Sequence, residues 1–290
     1  MSRGFLYFAF NNDKINYVEM SLASALSLQY HSEVKKISIV TDKKSWASLS
    51  PKHLEIAQRL FDQVIYEEVN WAMDNKNIRR YRDTEYHSER AKWHNTLRHK
   101  AYELSPYEET ILLDTDYIVQ SKNLDLLWGS DQDFRINRKV RFLDQKESYI
   151  KRLNSFSIPL YWATVVYFRK GEMADLIFQL IAHLQKNYFY YRMLYGFKDR
   201  IYRNDNTFSI ALHTLSGFLE NEEFNALPFE YLTSSDRDEL HSVENGATKI
   251  LIGKHGSHNF TLLNVKGVDV HCMNKFSLCR KIDDFVKAYS

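Results

Sequence analysis

Several things are scarce in this sequence, and each scarcity excludes something. There are two cysteines in 290 residues, Cys272 and Cys279. Two thiols cannot build a disulfide framework, and they fit a reducing, cytoplasmic setting. Nine glycines and four prolines are spread through the chain without clustering. That leaves no flexible linker and no repeat at which to divide it, so one domain over 1–290 is the simplest reading. No apolar run approaches the ~20 residues needed to span a membrane. The apolar run Gly4 to Phe10 is short and meets Asn11-Asn12-Asp13-Lys14, so it reads as a strand and not a signal peptide. An excess of one charge is missing too: 39 basic against 37 acidic residues give +2. A protein living on phosphate-backbone contacts carries a basic excess, so nucleic acid is not the expected partner.

What is abundant is material for a core. Hydrophobic residues make up 44% and aromatic residues 14%, enough burial to offset chain entropy. The first half alternates strand and helix signals. Phe5–Phe10 reads as a buried strand, followed by helical spacing at Val18, Leu22, Ala25 and Leu26. Residues 36–41 read as a second strand. Residues 51–61 read as a helix with Ser50 as N-cap and Pro51 in its first turn. A short strand at 64–66, an irregular charged stretch at 71–90, a helix at 91–104 and a strand at 110–113 follow. This alternation predicts an α/β fold with a mainly parallel sheet and right-handed crossovers. In the second half, a strand at 161–168, a long helical stretch at 172–195, a helix at 204–215 and strands near 249–252 and 261–271 are expected.

The segment Leu113-Asp114-Thr115-Asp116-Tyr117 is the most informative. An apolar strand delivers two carboxylates two residues apart, which in extended chain point the same way. Both can converge on one hard divalent cation that also meets substrate phosphates. Two aspartates capping a turn would look the same. A second pair, Asp131-Gln132-Asp133, follows no strand and carries no such expectation.

Three segments together resemble the GT-A fold glycosyltransferases, of the glycogenin and lipopolysaccharide-galactosyltransferase type. The first runs from Lys100-Ala101-Tyr102-Glu103-Leu104 through Thr110-Ile111-Leu112-Leu113-Asp114-Thr115-Asp116 to Asn123-Leu124-Asp125-Leu126-Leu127. The second is Phe8-Ala9-Phe10-Asn11-Asn12-Asp13 with Tyr17. The third is Val270-His271-Cys272-Met273-Asn274-Lys275. The resemblance implies a nucleotide-binding half over residues 1–120. It also implies an acceptor half over 121–290, whose tail folds back over the metal. It implies Mn²⁺ or Mg²⁺ on Asp114, Asp116 and His271, with Lys275 meeting a diphosphate. Phe8, Phe10, Asn11, Tyr17 and Asp42 match positions around the nucleotide base and ribose, and Lys100 or Arg98 would face the nucleotide. Asp205, in Asn204-Asp205-Asn206, matches an acid facing sugar or acceptor. The implied reaction moves a sugar from a nucleoside-diphosphate sugar, UDP-linked foremost, to a glycan, lipid or protein hydroxyl, with retention.

This chain departs from the family pattern. The terminal element lacks its Gly, Pro and Trp, and Trp162-Ala163-Thr164 replaces an Asn-Ser-Gly segment. Three other readings compete: a sugar-nucleotide-binding module without catalysis, a nucleotidyltransferase, and a zinc-holding tail. Phe10 to Tyr17 contains no glycine, which weighs against the phosphate-cradling loop of the second. The third would use His255, His258, His271, Cys272 and Cys279. The aromatic tract Tyr188-Phe189-Tyr190-Tyr191 reads either as core or as a stacking surface. Arginines at 79, 80 and 82 read as solvated charge or as contacts to an anionic acceptor.

Overall fold

The computed structural model describes residues 1–69, 77–198, 201–219, 226–244, 246–253 and 259–290. In chain order the first half gives β1 (Arg3–Phe8), α1 (Tyr17–His31), β2 (Ile37–Thr41), α2 (Lys43–Ala47), α3 (Pro51–Leu60), β3 (Gln63–Tyr66), β4 (Ile78–Arg82) and β5 (Ser88–Lys92). A 3₁₀ turn, Leu97–Lys100, runs into α4 (Ala101–Leu104), then β6 (Glu109–Leu113) and β7 (Tyr117–Ile118). Beyond these come β8 (Phe134–Asn137), β9 (Arg141–Phe142), β10 (Trp162–Arg169), α5 (Glu172–Lys186), α6 (Tyr188–Leu194) and α7 (Asn204–Leu215). The chain closes with β11 (Leu232–Thr233), β12 (Glu239–Glu244), β13 (Ala247–Gly253), β14 (Phe260–Lys266), β15 (Val270–His271), α8 (Lys275–Cys279) and α9 (Ile282–Tyr289).

The main sheet has the order β3-β2-β1-β6-β10-β8. Its first four strands are parallel, and β10 and β8 join antiparallel. Helices cover both faces, so the fold is the mixed α/β class expected. β1 shows why its sequence is apolar without alternation. Phe5 and Tyr7 face one hydrophobic cluster, with α1 and α9, while Leu6 and Phe8 face the other, with α5 and α7. A strand buried on both faces has no polar side to show.

The chain runs from β1 outward to β2 and β3, then returns to place β6 on the other side of β1. The strand order therefore reverses between β1 and β6. In open parallel sheets, ligands bind at such a reversal, beyond the carboxyl ends of the strands. Asn11 and Asp114 lie just past those ends.

A second sheet, β7-β15-β11-β9, ties the carboxyl end of β6 to the C-terminal segment. β15 pairs antiparallel with β7, setting His271 opposite Tyr117. The backbone N–H of Cys272 donates to the Asp116 carbonyl at 2.8 Å.

Several boundaries differ from expectation. The described part of the irregular stretch 71–90 is an antiparallel hairpin, β4–β5. Both its faces are largely solvated, so no apolar period marks it. The expected helix at 91–104 is instead the end of β5, four irregular residues and two short helical turns. Asn95 breaks it by leaving the helix path to grip Phe10, accepting from its N–H at 3.0 Å and donating to its carbonyl at 3.3 Å. The stretch 172–195 divides at Asn187 into α5 and α6.

Candidate functional site

Asp114, Asp116 and His271 converge at the end of β6, with one ligand atom from each lying within 4.8 Å of the others. The elements explain the meeting. β6 is buried along its length and ends at Leu113. A tight turn follows, closed by Tyr117 N–H donating to the Asp114 carbonyl at 3.2 Å. The β7–β15 pairing then carries His271 across. Its Nε2 sits 3.4 Å from Asp116 Oδ2 and 3.9 Å from Asp114 Oδ2, while Nδ1 lies 3.4 Å from Thr164 Oγ1.

Two cations complete the cluster. Lys275 opens α8, whose N-terminus is capped by Asn274 accepting from Ser277 N–H. Its Nζ donates to Asp116 Oδ2 at 2.5 Å. Arg98, buried in the turn before α4, donates to Asp114 Oδ1 at 2.5 Å and to the Leu113 carbonyl at 3.1 Å. A third bond from Arg98 reaches the Ala163 carbonyl, so one guanidinium clamps the ends of β6 and β10.

The two carboxylates differ in state. Burial raises Asp114 above the usual carboxylate range, and Arg98 opposes this without cancelling it. Burial pushes Asp116 the same way, but Lys275 and His271 overcome it and hold the group far below that range. Burial lowers His271, and the adjacent carboxylates more than reverse it, so the imidazole is raised overall.

The other nominated residues fall in three places. Asn11 and Asp42 line a cleft of about 910 Å³ beyond β1 and β2. Asp42 caps α2, accepting from Ser45 N–H at 2.8 Å and Ser45 Oγ at 2.6 Å. The Asn11 backbone N–H donates to Ser45 Oγ at 2.9 Å, and its side chain accepts from Val18 N–H at 3.0 Å. Asp205 opens α7 and accepts from Ala163 N–H at 2.9 Å, near enough to Asp114 to add to its upward shift.

Phe8 and Phe10 do not offer a stacking face. Both are fully buried against Leu6, Val40 and Leu97 in the core. Tyr17 is also buried, donating to Tyr81 at 3.0 Å. Lys100 pairs with Glu67 at 2.7 Å, and Arg98 takes the place beside Asp114. Residues in a 3₁₀ turn repeat every three, so positions two apart cannot face the same way.

Among the described residues, the tail does not gather the zinc donors proposed for it. His271 turns to the aspartates, and Cys272 is buried with Sγ 3.8 Å from the Asn274 carbonyl. His255 and His258 lie outside the described residues. The aromatic tract divides: Tyr188 is core, accepting from Asn206 at 2.8 Å, while Phe189 and Tyr190 are exposed.

Sequence reasoning missed Tyr231, and it gave Arg79 and Thr164 other roles than the ones they hold here. Arg79 stacks on Trp93, its guanidinium carbon 3.3 Å from the ring centroid. Tyr231 accepts from Asn137 at 2.9 Å and lies near Asp114. None sits in a pattern that announces chemistry.

No family model and no curated protein matches the chain. Among solved structures it is similar to the galactosyltransferase LgtC in complex with donor and acceptor sugar analogs. The identity is 15% over 72% of this chain and 70% of that one, with a TM-score of 0.43. It is similar to apo mouse xyloside xylosyltransferase 1 at 11% identity, over 72% of this chain and 81% of that one, with a TM-score of 0.44. It is also similar to the glycosyltransferase GlyE of Streptococcus pneumoniae TIGR4 at 13% identity, over 78% of this chain and 44% of that one, with a TM-score of 0.42. These neighbours are glycosyltransferases; the chemistry of the present site rests on its own residues. No helix among the described residues is long and apolar enough to cross a membrane.

Proposed function

We propose that this chain is a metal-dependent glycosyltransferase, moving a sugar from a nucleoside-diphosphate sugar, UDP-linked foremost, to an acceptor hydroxyl with retention. The observation that carries the reading is the convergence of Asp114, Asp116 and His271 at the point where the strand order reverses. The donor set fits a divalent ion: two carboxylates suit Mg²⁺ or Mn²⁺, and an imidazole favours Mn²⁺. The charges fit as well. Arg98 and Lys275 already balance the two aspartates, so a divalent ion leaves the site positive and matched to a diphosphate.

A divalent ion at these residues would supply Lewis-acid stabilisation of the departing nucleoside diphosphate. The chain's own groups do the rest. Arg98 fixes Asp114 against the ends of β6 and β10, and Lys275 keeps Asp116 ionised. Thr164 sets the plane of His271, leaving Nε2 toward the carboxylates. Lys275 also adds a buried positive charge where negative charge grows as the glycosidic bond breaks. The cleft beside Asn11 and Asp42 is the place for the nucleoside. Asp205 holds α7 to β10 through Ala163, and its carboxylate is the acidic group nominated toward the reacting sugar.

Calorimetric titration of UDP-glucose and UDP-galactose, with and without Mn²⁺, tests this on wild type and Asp116→Ala. Metal-dependent binding lost in the variant is expected. Well-folded protein that binds no sugar nucleotide in the presence of Mn²⁺ would overturn the reading. Transfer with inversion, read from the anomeric proton of the product, would overturn retention alone.

A further inference from the structure

A groove of about 330 Å³ opens between the loop after β9 and the start of α7. Lys151, Arg152, Lys198 and Arg203 line it, with Asp205 and Trp162. Among the described residues that line it are four cations and one carboxylate, and that carboxylate already accepts a backbone hydrogen bond from Ala163. Lys151 and Lys198 make no ion pair among the described residues; the Lys151 ammonium lies 5.3 Å from the Trp162 ring centroid. A cleft lined by one sign of charge concentrates ligands of the other sign.

The groove adjoins the metal-type cluster. Tyr161 and Ala163 of the β10 segment turn into the core, so Trp162 and Thr164 turn the other way. Thr164 touches His271, and Trp162 follows roughly 7 Å along the same strand. The register of β10 against β8 slips between Trp162 and Val166. Such irregularities re-aim side chains beside active sites. Trp162 is buried, and its indole N–H has no hydrogen-bond partner among the described residues. A buried donor left unpaired is costly unless a ligand supplies the acceptor.

We propose that this groove receives the acceptor, and that the acceptor carries an anionic group, a phosphate or a carboxylate, bound between Lys151 and Lys198. The word acceptor rests on the transferase reading; the preference for an anion does not. The separation from the cluster suits this role. A diphosphate belongs at the cluster, and a second substrate must present its hydroxyl from the side. Trp162 lines the groove, and its unpaired indole N–H gives a donor for an acceptor hydroxyl.

The test is calorimetric titration of the full chain, free of metal, with glucose, glucose 6-phosphate and glucuronate. At least one anion is expected to bind about tenfold or more tightly than glucose, as charge-assisted hydrogen bonds require. That gain is expected to shrink with added salt and to vanish in Lys151→Gln/Lys198→Gln, while Lys151→Arg/Lys198→Arg keeps it. The two anions separate a phosphate site from a carboxylate site. Equal affinity for all three sugars, or a gain that survives the double glutamine variant, would overturn the proposal. Should the glutamine variant not fold, a gain in wild type insensitive to salt would overturn it equally. A protein that shows the anion preference but binds no sugar nucleotide keeps the site and loses the transferase reading.

Discussion

The chain contains the Asp-x-Asp pattern three times, and the copies at 114–116 and 131–133 do different things. Asp114-Thr115-Asp116 follows β6 and meets His271, Lys275 and Arg98. Asp131-Gln132-Asp133 precedes β8 at the opposite end of the sheet. There Asp131 pairs with Arg135 at 2.6 Å and Asp133 with Arg169 at 2.5 Å. Arginine neutralises carboxylates in both places. The difference lies in what else arrives. The second pair is satisfied by Arg135, in the strand that follows it, and by Arg169 at the end of an adjacent strand. The first is enclosed by a segment more than 150 residues away in sequence, so its charges are held where water screens them poorly. A pattern becomes a site by standing at the carboxyl end of a strand where the sheet order reverses.

The sharpest way to break this comparison is to remove one carboxylate from each pair. Asp116→Ala is expected to weaken Mn²⁺-dependent sugar-nucleotide binding by about 100-fold or more, beyond the loss usual for outer ligand partners. Asp133→Ala is expected to leave it unchanged. Equal losses in the two variants would show that the patterns are equivalent. A comparable contrast is expected in stability. Lys275→Met takes the closer of two partners from the buried Asp116 charge and leaves it to His271, which costs about 3 kcal/mol in urea unfolding. Arg135→Met removes a partner of a largely exposed carboxylate and is expected to cost under about 1 kcal/mol. Mn²⁺ is expected to recover part of the Lys275→Met loss, because it binds the native state and restores a cation beside Asp116.

Much of this could be read in the chain, and the parts that could not have physical causes. The strand before Asp114 is a plain apolar run, so the placement of the pair was legible. Pro51–Leu60 was legible because its Ser50 cap and its apolar spacing agree. Phe8 and Phe10 misled because β1 is buried on both faces; aromatic residues at a strand end look alike whether they meet a ligand or the core. Arg98 and Lys100 stand two apart in a 3₁₀ turn, and nothing local tells which one faces inward. The hairpin β4–β5 carries no hydrophobic period. Arg79 is seen beside Trp93 only once that hairpin is folded. The His271 assignment came from resemblance, since no local pattern ties it to residues so far away.

A smaller effect is expected at Thr164. Its hydroxyl sits beside Nδ1 of His271, and replacing it by valine keeps the volume and removes the contact. Thr164→Val is expected to weaken Mn²⁺ binding by about tenfold, the usual scale for a partner that orients a metal-binding imidazole. Ser130, which accepts from Arg135 at 2.7 Å beside the second pair, is the matching control. Ser130→Ala is expected to leave Mn²⁺ binding unchanged, and a loss there equal to that of Thr164→Val would remove the orienting role.

The smallest expected signal comes from the thiols. Burial pushes Cys272 up to about 12 and Cys279 up to about 11, so neither carries appreciable thiolate at pH 8. Iodoacetamide is therefore expected to label neither in the native protein and both after unfolding. Cys272 is joined through its backbone to Asp116, so its labelling reports local opening of the first acidic pair. Lys275→Met is expected to speed that labelling a few-fold at pH 8, while Arg169→Met, beside the second pair, leaves it slow. Equal rates in the two variants would mean that the C-terminal strand opens independently of the charges beneath it. The sheet β7-β15-β11-β9 alone, and not the Lys275–Asp116 pair, would then hold the tail over the site.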